Sequence, residues 1–171
     1  KEHVNGAEIF TKLFLFPNRV TFQGSYTIID ATRTNNSSSY AGPYDLEYFV
    51  RGSLKYQHHS NLVISLIILY RQGQWYRPVI DRNYDAALDV YEPLYTSRNN
   101  MTRYPDYLKL DLSLSKLWTI SSHLNIIGFM NVSNLLDTEN VRDLTYNRDY
   151  TSHTDDLYSR RTVYFGGIVN F

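Results

Sequence analysis

The chain has 171 residues, no cysteine, and equal numbers of basic and acidic side chains, 17 Lys+Arg against 17 Asp+Glu. That balance provides no global field to attract nucleic acid or an anionic membrane surface, and the missing cysteine excludes a disulfide framework and thiolate chemistry. Tyr 16, Phe 8 and Trp 2 bring the aromatic share to 15%, which favours strands.

From the amino end, Val4 to Phe16 reads as a first strand, with Ala7, Ile9, Leu13 and Leu15 on one side and Glu8, Phe10 and Lys12 on the other. Pro17-Asn18 supplies a tight turn into a second strand, Arg19 to Asp30, where Val20, Phe22, Gly24, Tyr26 and Ile28 share a face. Ala31 to Pro43 is polar and rich in breakers and reads as a loop. The third strand, Tyr44 to Gln57, sets Leu46, Tyr48, Val50, Leu54 and Tyr56 against Asp45, Glu47, Arg51, Ser53 and Lys55. After a His58-His59-Ser60 turn, a fourth strand runs from Asn61 to about Tyr76, with Leu62, Ile64, Leu66, Ile68 and Tyr70 on its apolar face.

Arg77 to Pro105 is expected to be a long loop, in which Asp85 to Tyr91 could form a short helix. The fifth strand, Asp106 to Ile120, alternates Leu108, Leu110, Leu112 and Leu114 with Lys109, Asp111, Ser113 and Ser115, and Trp118 extends the apolar row. A sixth strand, His123 to about Leu135, follows Ser121-Ser122. A second long loop, Leu136 to Asp156, leads to a terminal strand, Leu157 to Phe171, with Val163, Phe165, Gly167, Val169 and Phe171 on its apolar face.

Connections alternate strictly, short after strands one, three and five and long after strands two, four and six. An antiparallel meander with all tight turns at one end and all long loops at the other is the layout of an outer-membrane barrel. The longest apolar run, Leu62 to Tyr70, is interrupted by Ser65 and falls short of the ~18 residues of a spanning helix. The chain opens on Lys1-Glu2-His3 without an initiator Met or signal peptide, as expected of a mature or cut chain. Alternation alone does not say which face meets lipid, because a soluble lipocalin-like lipid-binding β-barrel keeps its apolar face inside. Charged Glu47, Arg51 and Lys55 on the second face, and aromatic Tyr48, Tyr56, Tyr70 and Trp118 near strand ends, favour lipid outside and a wet lumen.

Arg103-Tyr104-Pro105-Asp106-Tyr107 followed by Asp111, then Asn131-Val132-Ser133-Asn134-Leu135-Leu136-Asp137, and the closing Arg161 to Phe171, resemble the C-terminal portion of TonB-dependent outer-membrane receptors. Gly6-Ala7-Glu8, Gly24-Ser25-Tyr26-Thr27 and Gly73-Gln74 fit weaker upstream features, and Leu136 stands where an aromatic is common. The resemblance implies an all-β fold: an antiparallel up-and-down transmembrane β-barrel segment, about seven strands of a 22-stranded barrel whose plug and earlier strands are absent from residues 1–171. It implies a bacterial outer-membrane location and active uptake of a scarce nutrient. The expected partners are the remaining barrel strands and plug, from the same parent protein or another chain, outer-membrane lipids, the nutrient ligand, and an inner-membrane energy-transducing complex acting through the missing part. It also implies that Phe171 serves as a barrel-assembly signal. A small passive or structural outer-membrane barrel completed by a partner chain is the alternative within the membrane class.

An open sheet cannot leave two edges unpaired in hydrocarbon, so the first and last strands are expected to pair with strands from elsewhere. The chain lacks a Gly-x-Ser-x-Gly elbow, a phosphate-binding glycine loop and a His-Glu-x-x-His helix, so no active site is assigned and no enzymatic role, cofactor or metal is expected. His58-His59 reads as a solvated turn, and Asp81, Asp85 and Asp89, spaced by four, read as surface charge more readily than as a Ca²⁺ site. Matches to the glycosylation pattern at Asn35, Asn36, Asn100 and Asn131 are irrelevant to a bacterial outer-membrane chain. Ligand contact is assigned to the extracellular loops, with Trp75, Tyr76, Tyr84 and Tyr91 as stacking surfaces and Arg77, Arg142 and Arg148 as anion donors. Tyr95, Arg82 and Arg98 offer the same chemistry, and a purely structural loop role suits each of these side chains equally.

Overall fold

The computed structural model describes residues 1–35, 38–42 and 45–171. Asn36, Ser37, Pro43 and Tyr44 lie outside the described residues, and with them part of the expected Ala31–Pro43 loop, two of the glycosylation matches and the expected start of the third strand. In chain order the strands are β1 (Glu2–Leu15), β2 (Val20–Asn35), β3 (Ser38–Ala41), β4 (Leu46–Gln57), β5 (Leu62–Arg71), β6 (Trp75–Tyr76), β7 (Val79–Asp85), β8 (Val90–Tyr95), β9 (Thr102–Arg103), β10 (Tyr107–Thr119), β11 (Asn125–Ser133), β12 (Val141–Tyr146), β13 (His153–Leu157) and β14 (Thr162–Asn170). A single 3-10 turn, Arg98–Asn100, is the helical element among the described residues.

The chain is all-β, and its main sheet is an antiparallel meander in the order β1-β2-β4-β5-β10-β11-β14, with β3 paired to the end of β2. Tight connections at Phe16–Arg19, His58–Asn61 and Ile120–Leu124 share one end of the sheet, here the turn end; the long connections share the other, the loop end. Because every pairing is antiparallel, and in register except at the loop end of β2–β4, side chains directly opposite one another stay on one face across the sheet. One such row runs Leu13–Phe22–Leu54–Leu66–Leu112–Val132–Val163. The adjacent row on the other face runs Phe14–Thr21–Lys55–Ser65–Ser113–Asn131–Tyr164. The alternation read strand by strand thus joins into one apolar face and one mixed polar face.

The sheet is a single open layer. Among the described residues the buried hydrophobic side chains are Ala31, Leu46 and Val132, while Ile9, Phe22, Leu54, Ile68, Val163 and Phe165 of the apolar face are exposed. Chains of this length ordinarily bury a substantial core; here the apolar face of the sheet is left uncovered among the described residues. Every residue of β1 is exposed, β14 pairs among the described residues only with β11, and Phe171 is fully exposed.

The structure departs from expectation in four places. The Arg77–Pro105 and Leu136–Asp156 segments carry two-stranded ribbons, β7–β8 and β12–β13, and β6 pairs with β9. The Asp85–Tyr91 segment is not helical: Asp85 and Val90 are cross-strand partners, and Asp85 Oδ1 accepts from the backbone N–H groups of Ala87 and Leu88, which tightens the turn between them. The second strand continues past Asp30 to Asn35 because the first strand still pairs with it there, Glu2 opposite Arg33. Finally, Leu46 is not on the apolar face. A register shift between Thr27 and Ile29 sets Leu46 opposite Ile29, and it lies among Phe49, Leu69 and Tyr107 on the mixed face.

Aromatic side chains border the apolar face at both ends. At the loop end Tyr48 and Tyr70 stack with ring centroids 5.4 Å apart, and both hydroxyls donate to Asp106 Oδ2. At the turn end the Lys116 ammonium sits 5.5 Å from the Trp118 ring centroid. Trp118 also covers Gly128: a Cβ there would lie 2.8 Å from its ring, so the glycine is what lets the indole lie flat on the sheet.

Candidate functional site

The loop end is held together by the two sequence motifs. Asn134 ends β11 in the left-handed region, φ 52°, which asparagine tolerates better than most residues. Its side chain is 1% exposed. Nδ2 donates to the Thr138 carbonyl (3.0 Å) and the Ser159 carbonyl (3.3 Å), Oδ1 accepts from Thr138 N–H (3.1 Å), and its own N–H donates to Asp111 (2.8 Å). Asn140 adds a reciprocal pair, donating to the Leu108 carbonyl and accepting from the Leu108 N–H, both at 2.8 Å. Asp137 receives Arg160 in a two-pronged contact, 3.0 and 2.8 Å, together with Arg161 N–H at 2.9 Å. These donors, Arg160 foremost, hold the Asp137 carboxyl well below the usual carboxylate range.

The Arg103-Tyr104-Pro105-Asp106 segment organises the neighbouring loops. Arg103 donates to the Asp45 and Gly73 carbonyls (2.8 and 2.9 Å) and to Asp45 Oδ2 (3.2 Å), and its guanidinium lies 4.0 Å from the Trp75 ring centroid. Trp75 Nε1–H donates to the same carboxylate at 3.0 Å. Tyr104 stacks on Tyr76 at 4.1 Å and donates to Asp143 at 2.8 Å. Burial, then that hydrogen bond, raise the Tyr104 pKa well above the usual tyrosine range; burial likewise raises Tyr76. The backbones approach so closely that a Cβ on Gly73 would lie 1.7 Å from the Tyr104 carbonyl oxygen, a position only glycine can occupy.

Between these loops lies a cavity of about 560 Å³, lined by Arg33, Tyr40, Ala41, Trp75, Tyr76, Arg77, Tyr95, Arg98, Met101, Tyr104, Asp143, Leu144 and Tyr146. Of the side chains assigned to ligand contact from sequence, Trp75, Tyr76 and Arg77 come together here, with Tyr95 and Arg98. The others lie elsewhere. Tyr84 and Tyr91 pack on each other at 5.0 Å within the β7–β8 ribbon, where Arg148 approaches Asp89 at 3.6 Å and Arg82 pairs with Asp149 at 2.9 Å, joining that ribbon to the segment after β12. Arg142 is engaged by Asp156 across the β12–β13 ribbon. Tyr40, Tyr104, Asp143 and Tyr146 line the cavity without having been singled out; the placement of Tyr104 inside the Arg103–Tyr107 motif was the available signal.

No family model, curated protein or solved structure matches this chain.

Proposed function

We propose that this chain is a section of the wall and of the extracellular loops of an outer-membrane β-barrel, the C-terminal part of a TonB-dependent receptor that takes up a scarce nutrient. The observation that carries the reading is the in-register apolar face spanning all seven long strands and left without a core to cover it. Leu108 to Trp118 spans ten residue steps, about 33 Å of strand. At a tilt of about 40° that gives about 25 Å, the height of a barrel's apolar band. The aromatic borders suit the two interfaces, and the paired Lys109 and Asp111 (2.8 Å) suit a wet lumen on the other face. In this role the chain performs no chemistry: it supplies wall and ligand-facing loops while a plug gates passage.

A sheet open at β1 and β14 exposes unpaired backbone groups, each costing several kcal/mol in hydrocarbon, so both edges pair with further strands in the assembled barrel. The test uses the full-length polypeptide in cell membranes, with single cysteines at Leu110, Leu112, Asp111 and Ser113. The expected pattern is that positions 110 and 112 react only with a lipid-soluble maleimide and positions 111 and 113 with a water-soluble one. Recovery of the protein from the aqueous fraction, or no alternation, would overturn the barrel. Nutrient uptake that persists without an inner-membrane energy supply would leave a passive barrel instead.

A further inference from the structure

The loop-end cavity has a charge pattern that selects a class of ligand. Three guanidinium groups and one carboxylate line it, Arg33, Arg77, Arg98 and Asp143. Arg33 is paired with Glu2 at 3.1 Å, and Asp143 accepts the Tyr104 hydroxyl. Arg77 and Arg98 meet no carboxylate among the described residues; each is held against a tyrosine instead. Arg77 lies 5.4 Å from the Tyr95 ring centroid and donates through Nε to the Thr96 carbonyl at 2.8 Å. Arg98 lies 5.1 Å from the Tyr40 centroid and donates through Nη1 to the Tyr40 hydroxyl at 2.6 Å.

A tyrosine ring fixes a guanidinium without neutralising it, so its charge and remaining N–H donors are directed to whatever enters. Among the described residues, both terminal nitrogens of Arg77, and Nε and Nη2 of Arg98, make no hydrogen bond and serve that purpose. The stacked Tyr76 and Tyr104 rings add a flat apolar surface, and about 560 Å³ is within the usual size of a small-molecule site.

We infer that this cavity binds a small organic anion, with a flat, largely apolar body against the tyrosine wall and a carboxylate or comparable planar oxyanion engaged by Arg77 and Arg98. The inference rests on the loop end being the ligand-facing side of a receptor, and names the class of compound that side receives.

The experiment is titration calorimetry on the full-length protein in detergent, with 2-naphthoate as probe and the uncharged 2-naphthamide as comparison. The naphthoate is expected to bind, the amide at least about tenfold more weakly, and Arg77→Gln and Arg98→Gln each to cost about tenfold or more, as lost charge-assisted donors do. Arg77→Lys, which keeps the charge but not the fork, recovers only part of the loss. Arg19→Gln, the same charge change at the turn end, leaves binding unchanged, and circular dichroism melts establish that each variant is folded. Equal binding of the amide, or unchanged binding in both glutamine variants, overturns the inference. Absence of naphthoate binding by protein that shows the alternating cysteine-labelling pattern overturns this site alone. Binding by protein that lacks the pattern supports the site and counts against the receptor.

Discussion

The side-chain nitrogen of Asn134 donates to the backbone carbonyl of Ser159 at 3.3 Å, joining the end of β11 to the segment that leads into β14 across 25 residues of chain. The same buried amide closes the local turn through both Thr138 backbone groups. Asn134→Ala leaves one N–H and two carbonyls without this partner and places a less tolerant residue at positive φ, for an expected loss of about 3 kcal/mol. Asn134→Asp is expected to be worse, because a carboxylate would face the Thr138 and Ser159 carbonyls that now accept from the amide. Denaturant unfolding of the full-length protein in lipid vesicles measures both; an Asp variant as stable as wild type would refute this account.

Asp137 makes the same junction sensitive to acid. Its pKa is depressed in the folded chain by Arg160 and the Arg161 N–H. The folded state therefore binds this proton less readily than the unfolded state. Its contribution is complete above the ordinary aspartate pKa of about 3.9 and declines as pH falls below it towards the depressed folded value. Amide exchange at Arg161 is expected to rise, relative to amides of the β10–β11 pair, as pH falls below about 4. Asp137→Asn should abolish that pH dependence; an unchanged profile in the variant would assign the effect to another group.

Arg103 is expected to resist replacement by lysine. A lysine ammonium cannot reproduce three contacts in the guanidinium plane together with the stack on Trp75. Arg103→Lys should cost about 1–2 kcal/mol and shift Trp75 emission to longer wavelength, read as the difference spectrum between the full-length protein with Trp75 and the same protein carrying Trp75→Phe. Unchanged emission would show that Trp75 is held by Asp45 alone.

Leu112 and Ser113 are neighbours on β10 with opposite facing, and this gives a direct energetic test of the barrel. Leu112→Arg is expected to cost about 2–4 kcal/mol in lipid vesicles, the usual penalty for a lipid-facing arginine near the midplane. Ser113→Arg, into the lumen, should cost much less. Equal penalties would mean that the apolar face does not meet lipid.

How much was legible beforehand follows from how local each determinant is. Alternation at period two is written in consecutive residues, so the seven long strands, the two faces and the separation of tight turns from long loops could all be read from Leu108, Leu110, Leu112, Leu114 and their counterparts. The β7–β8 ribbon could not: its two faces each mix polar and apolar residues, Asp81, Asp85 and Asp89 repeat every four as on a helix, and only the pairing of Val79 with Tyr95 through to Asp85 with Val90 makes it extended. The facing of Leu46 was equally out of reach, because a register shift against Thr27 and Ile29 is a property of two strands at once.

The cavity belongs to the same class. Arg33, Tyr40, Tyr76, Arg98, Tyr104 and Tyr146 come from β2, β3, β6, the 3-10 turn, the residue after β9 and β12, and meet only in the folded chain. Strand pattern is a one-dimensional property of the chain, whereas register and loop assembly depend on contacts between segments tens of residues apart, and these exist only once the sheet has formed.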